Sequence, residues 1–286
     1  MATTAPAPAS APAATAPGRI RGAAGRVAAP VDWIEQVAGM MLLLGQATRA
    51  LLTPPFAWRA EFVSETFTAV KRSLIPVVVT TTVFGTGAPG LTGGNIVNVF
   101  GAIDRMGAFF VMACVREFAP WINGMVVAGV AGTAICADLG ARKVREEIDA
   151  LQALGVDPVA TLVAPRLLAL GLVTPALNLL ATMGGIFGGW IATVVIFQDT
   201  HAGYISTFAS NFTLVDLIGS MLKTSLFGFI IAIVCCYKGM HVKGGPEGVG
   251  RAVNQAVVIA FAAIWAFNYM FNSTMLAAFP ETGNLH

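Results

Sequence analysis

The chain has 286 residues, of which 56% are hydrophobic and 11% charged, with a mean hydropathy of +0.74. A soluble domain carries about 25% charged residues, so a soluble globular domain and a disordered chain are both excluded. The net charge of +2 leaves no basic excess for nucleic acid, and Cys114, Cys136, Cys235 and Cys236 lie in apolar stretches, so they form neither a disulfide framework nor a spaced metal motif.

What remains is a polytopic membrane protein. Residues 1–30 are almost wholly Ala, Pro, Thr, Gly and Arg, with no acidic residue and no apolar run long enough for a signal peptide. They share an acid-free, Arg-containing character with transit peptides, but their proline content opposes the amphipathic helix such peptides need. The expectation is a disordered tail over 1–30, followed by one membrane domain over 31–286. From Val31 to Leu52, Trp33, Val37, Met40, Met41, Leu44, Leu51 and Leu52 recur at roughly helical spacing between polar residues, and Pro54 and Pro55 end the pattern. Its continuous apolar run is short for a bilayer of about 30 Å, which predicts an interfacial helix. A second amphipathic stretch, Trp58 to Arg72, leads into the spans.

Five transmembrane helices are expected, at about 73–101, 107–137, 166–197, 214–237 and 252–277. The first carries Gly85, Gly87, Pro89, Gly90, Gly93 and Gly94, so a bend or unwinding is expected in its second half. Basic residues set the orientation. Seven precede the first span, four lie in or beside the 138–166 loop (Arg142, Lys143, Arg145, Arg166), and three lie in the 238–251 loop. With the N-terminus in the cytoplasm these 14 of the 17 Lys and Arg residues are inside, and Arg105 is outside with the 198–213 loop and the C-terminus. Arg116 and Lys223 remain at membrane depth.

The segment Ala137-Asp-Leu-Gly-Ala-Arg-Lys-Val-Arg-Glu-Glu-Ile-Asp-Ala-Leu-Gln-Ala-Leu-Gly-Val-Asp-Pro158 interrupts two apolar stretches. Its spacing predicts a short cytoplasmic helix at about 141–154, with Val144, Ile148, Leu151 and Leu154 on one face. Arg142 to Glu146 and Arg145 to Asp149 are candidate i, i+4 ion pairs, and Gly155 and Pro158 end the helix. Such a helix either docks into a soluble partner or rests on the membrane as a solvated loop helix, and pattern alone does not choose. An ionisable group at membrane depth is costly unless paired or wetted. Arg116, Glu117 and Lys223 are therefore either an interfacial or buried structural set, or the lining of a cavity. His201, His241 and His286 are isolated from one another, so no metal site is expected, and no P-loop or nucleophile–base motif is present in the sequence.

The stretch Ala134–Pro158 closely resembles the signature of the MlaE/YrbE permeases, membrane subunits of ABC-type lipid transporters that work with Mce (mammalian cell entry) proteins, and its wording is similar to the actinobacterial YrbE branch. Arg116-Glu-Phe-Ala-Pro120 resembles that family's Arg-Glu-Leu-Gly-Pro, and Ala164-Pro-Arg166 and Gly244-Gly-Pro-Glu-Gly-Val-Gly-Arg-Ala252 also match. The resemblance covers about residues 32–276. It implies an all-α integral membrane permease with an N-terminal interfacial helix, five transmembrane helices and a cytoplasmic coupling helix, placed in the cell membrane. It implies a second YrbE-like permease, as homo- or heterodimer, Mce proteins outside, lipid as cargo, and a cytoplasmic ATPase dimer that binds ATP and Mg²⁺ in place of this chain. Arg145, Glu146, Glu147, Asp149 and Leu151 would meet the ATPase, and Arg116, Glu117 and Lys223 would line the substrate cavity. One departure stands out: where many relatives carry Gly-Arg-Ala-Gly, this chain has Gly129-Val-Ala-Gly132, with Val130 at the arginine position. A rival expectation is an ion-coupled secondary transporter using the same three charges.

Overall fold

The computed structural model describes residues 24–54 and 58–278, which are helical almost throughout with no strand among them. The chain divides into two units, Met1–Gly39 and Met40–His286. Helix α1 (Ala24–Leu52) begins inside the stretch expected to be tail, where Val27, Ala28 and Ala29 are compatible with a helix. Residues 1–23, the rest of that expected tail, lie outside the described residues. Along the later part of α1, Met40, Leu43 and Ala47 are buried while Met41 and Leu42 are exposed, so one side of the helix is covered.

Among the described residues, five helical runs are long and apolar enough to cross a membrane: Glu61–Val99, Ile103–Val144, Val159–Ile196, Leu214–Met240 and Gly245–Ala278. The amphipathic stretch from Trp58 is not a separate element, because α2 (Arg59–Gly85) runs from it directly into the first span. The irregularity expected after Gly85 takes the form of a wider helical turn, without a break. The chain passes through a π-helical turn, Thr86–Gly93, into α3 (Gly94–Val99), and the wider turn accommodates Pro89 without ending the helix. The glycine run serves packing instead: a Cβ on Gly85 would lie 2.7 Å from the carbonyl oxygen of Gly185 on the third span.

The second span is built from α4 (Met106–Phe110), a π-helical stretch (Val111–Phe118), α5 (Ala119–Val127), a second π turn (Ala128–Gly132) and α6 (Thr133–Val144). A short helix, α7 (Glu147–Ala153), follows, then the third span, with α8 (Ala164–Trp190) between π turns at Val159–Val163 and Ile191–Ile196. The 198–213 segment, expected as a loop, contains α9 (His201–Asn211). It is capped by Thr200, whose hydroxyl accepts from the Gly203 N–H, and anchored by buried Tyr204, whose hydroxyl donates to the Ile186 carbonyl at 3.0 Å. Burial also pushes the Tyr204 phenol well above its ordinary pKa, so it stays a donor at physiological pH. The fourth and fifth spans are α10 (Leu214–Met240) and α11 (Gly245–Ala278).

Packing centres on α8, which lies along α2 on one side and α10 on the other, while α10 also meets α6 and α11. Leu170 and Leu177 of α8 and Phe227 and Ile231 of α10 are fully buried in this packing. Polar side chains join the spans where apolar contact gains nothing over lipid. Asn123 donates to the Thr174 carbonyl at 2.8 Å, Asn178 to the Ser220 hydroxyl at 2.9 Å, and Ser225 to the Gly171 carbonyl at 2.8 Å. The four cysteines are buried thiols among these helices.

Candidate functional site: an intramembrane charge pocket and a charged connecting helix

Arg116 and Glu117 sit in the π-helical stretch Val111–Phe118, a wide turn of the kind often found at functional sites. There they meet α10 and α11 at a pocket of about 180 Å³ lined by Arg116, Glu117, Asp216, Ser220, Lys223 and Asn272, with Phe271, Met275 and Leu276 as its apolar part. Arg116 Nε lies 2.7 Å from Asp216 Oδ1. Asp216 is fixed by a capping box at the start of α10: its carboxylate accepts from the Thr213 N–H at 3.1 Å and from the Thr213 hydroxyl at 2.7 Å.

Lys223, only 1% exposed, donates to the Asn272 Oδ1 at 2.9 Å and to the Arg116 carbonyl, and lies 5.9 Å from the centre of the Phe271 ring. Asn272 turns its amide to Glu117, and Asn268, one helical turn away, donates to the other Glu117 oxygen at 3.2 Å. The three charges singled out in the sequence are therefore brought together, yet none pairs directly with another through its side chain. Their partners are Asp216, Asn268 and Asn272, which the sequence reading passed over. The signals were present: Thr213-Leu-Val-Asp216 contains a capping-box spacing, since Thr213 and Asp216 are three apart, and Asn268 and Asn272 place two amides at i, i+4 in an apolar span. The pocket thus offers cationic and anionic groups beside aliphatic and aromatic surface, which suits an amphipathic ligand.

The second expected site differs in shape from its sequence reading. There is no single helix over 141–154: α6 carries on to Val144, and Glu146 adopts φ +61° before α7 starts at Glu147. A non-glycine residue in the left-handed region ends a helix as glycine ordinarily does, which is why the i, i+4 pairs Arg142–Glu146 and Arg145–Asp149 do not form. Arg145 reaches Glu147 at 2.7 Å, and Lys143 crosses the turn to Asp149 at 2.7 Å. Ile148 is buried, Leu151 is half-buried against the core, Val144 is at the edge of exposure, and Leu154 is 78% exposed, so the expected apolar face is only partly seated. Gly155, at φ +76°, ends the helix as its position predicts.

Arg142 turns back to Asp138 at 3.1 Å, and the same carboxylate accepts from Arg166 at 2.6 Å. Arg166, expected in or beside the 138–166 loop at the start of the third span, lies inside α8, is 2% exposed, and also holds Glu65 of α2 at 2.8 Å. The match that placed it after the connecting segment gave no sign of this burial, which only the packing of α2, α6 and α8 creates.

Residues 62–274 match the family model described as Permease MlaE. The chain belongs to the MlaE permease family. A Rickettsia typhi protein named "Probable ABC transporter permease protein" is 33% identical over 201 residues, covering 70% of this chain and 78% of its own length. A similarly named protein of Synechocystis is 34% identical over 184 residues, covering 64% and 70% respectively. The Arabidopsis thaliana protein TRIGALACTOSYLDIACYLGLYCEROL 1, chloroplastic, is 30% identical over 168 residues, 59% of this chain and 48% of that protein. This MlaE permease is accordingly a multi-pass membrane protein and a transporter permease subunit, and ABC permeases imply a partner ATPase. Val130, the departure from Gly-Arg-Ala-Gly, falls in the π turn Ala128–Gly132 of the second span and is half-buried.

Proposed function

We propose that this permease is the membrane half of an ATP-driven lipid transporter of the Mce type, dimerising with a like or paralogous permease and passing hydrophobic lipids such as fatty acids, phospholipids or sterols between the membrane and an Mce-protein tunnel outside. One observation carries the reading: the Arg116–Asp216 and Lys223–Asn272–Glu117 groups share a pocket with Phe271, Met275 and Leu276, so a polar head and an apolar chain are both accommodated. The name of the Arabidopsis relative, that of a diacylglycerol lipid, agrees with cargo of this class. The connecting segment, with Arg145, Glu146, Glu147 and Asp149 exposed and Leu151 beneath them, is the surface for the ATPase, which would bind ATP and Mg²⁺.

Reconstitution with the ATPase tests this directly. Movement of a fluorescent phospholipid should require ATP and be insensitive to ionophores, whereas dependence on an ion gradient without ATP would select the secondary-transporter alternative. In that assay Glu117→Gln and Lys223→Met should each lower transport by roughly tenfold through loss of charge-assisted hydrogen bonds, with normal membrane levels. Normal transport by Glu117→Gln would count against a cavity role.

Orientation follows from the basic residues, with α7 in the cytoplasm and α9 outside. In a cysteine-free background, Ser210→Cys should react with an impermeant maleimide in intact cells and Gln152→Cys should not. The reverse labelling would invert the topology and remove α7 from the ATPase side.

A further inference from the structure

A second pocket, of about 410 Å³, opens between α2, α6 and α8 at the same end of the bundle as α7. Its charged lining is Glu65, Arg72, Asp138, Arg142 and Arg166, with the hydroxyls of Ser64 and Thr68 beside them and Ala131, Ala134 and Ile135 behind. The two carboxylates are already engaged. Glu65 and Asp138 hold Nε and Nη2 of Arg166, and Asp138 also accepts from Arg142. Three guanidinium groups against two carboxylates leave the pocket with a net positive charge. The third nitrogen of Arg166, Nη1, is buried with no hydrogen-bond partner. A buried donor without an acceptor is rare enough to require one, and a guanidinium suits phosphate oxygens in particular.

Position narrows the source of that phosphate. Arg72 is the last charged residue of α2, and the uncharged run Ser73–Gly85 follows it. The wall from Ser64 to Arg72 occupies about 12 Å of helix at 1.5 Å per residue. The charged part of the pocket therefore stands at the boundary where headgroups meet hydrocarbon, and the alanine wall continues toward the apolar side. We infer that this pocket binds the phosphate group of an anionic phospholipid in the leaflet on the α7 side, separately from the Arg116–Lys223 pocket. The inference does not depend on the transport reading, since it concerns a bound lipid and not the cargo.

Native mass spectrometry of the full-length permease, equilibrated with mixed micelles of dioleoyl phosphatidylglycerol and dioleoyl phosphatidylcholine, provides the test. The wild type should retain phosphatidylglycerol preferentially, and R72Q/R142Q should retain roughly tenfold less of it, because charge-assisted contacts are lost. K71Q/K243Q removes the same charge from exposed positions outside the pocket and should retain the lipid like the wild type. A134W fills the pocket without touching its charges and should lose the lipid, which separates occupancy from any folding effect of the arginine changes. Equal retention by wild type, R72Q/R142Q and A134W would overturn the site, and equal loss in K71Q/K243Q would reduce it to surface charge. A parallel titration with inorganic phosphate separates the sources: displacement of the lipid at millimolar phosphate, with no preference for phosphatidylglycerol, would overturn the lipid in favour of a free anion.

Discussion

Replacing Arg166 with methionine is expected to deplete the folded permease more than any other single change in the described charge clusters. Arg166 is 2% exposed and ties Asp138 on α6 and Glu65 on α2 to α8, so its loss takes the buried counter-charge from Glu65 and leaves Asp138 with Arg142 alone. Breaking a fully buried pair costs about 3–5 kcal/mol. The lower end applies here, because Asp138 remains 41% exposed and keeps Arg142. Thermal unfolding in detergent and the level of protein in membranes both report the loss. The triple change E65Q/D138N/R166M removes every charge of the triad and should recover much of the stability, since a buried ion group is often replaceable as a unit. A single R166M variant as stable as the wild type would show that the triad contributes nothing to holding the three helices together.

The second large effect is expected at α7. Reversing Glu147 and Asp149 to lysine should weaken capture of the partner ATPase by roughly 100-fold if both carboxylates face it, from the usual worth of charged contacts. The structure adds a control that the sequence did not offer. Asp149 is paired with Lys143 and Glu147 with Arg145, so reversal also sets like charges side by side within this chain. The exchange K143E/D149K keeps that internal bridge while inverting the charge at Asp149. Loss of ATPase capture in both variants assigns the effect to the partner surface. Loss in E147K/D149K alone assigns it to collapse of α7, and undiminished capture in both would remove these carboxylates from the interface.

The spans were legible in the sequence because length and apolar content are enough to identify them, and their number survives in the structure. Local chemistry placed an end well where it was unambiguous: Gly155 closes α7. What the sequence could not convey is how polar residues are shared between helices. Arg166 reads as one more cation of a basic loop until α2 and α6 are packed around it, and Asp216 reads as the start of a span until Arg116 arrives from 100 residues away. The glycine run after Phe84 is a similar case. Glycine signals freedom in a sequence, but here Gly85 marks a close crossing with Gly185 that needs the helix to continue. The left-handed turn at Glu146 carried no glycine or asparagine to announce it, so two short-range ion pairs were assigned to a helix that is not there.

Helix α7 has only seven residues, Glu147 to Ala153. An isolated helix of fewer than about 12 residues is marginal in water, so its backbone order is borrowed from the burial of Ile148 and from the bridge between Lys143 and Asp149. It cannot behave as a free-standing rod. Lifted off its seat it would lose its hydrogen bonds together, and pressed onto it it would gain them together. Amide exchange across Ala150 to Ala153 should therefore act as a gauge of load on this segment, slow when its underside is covered and fast when it is not.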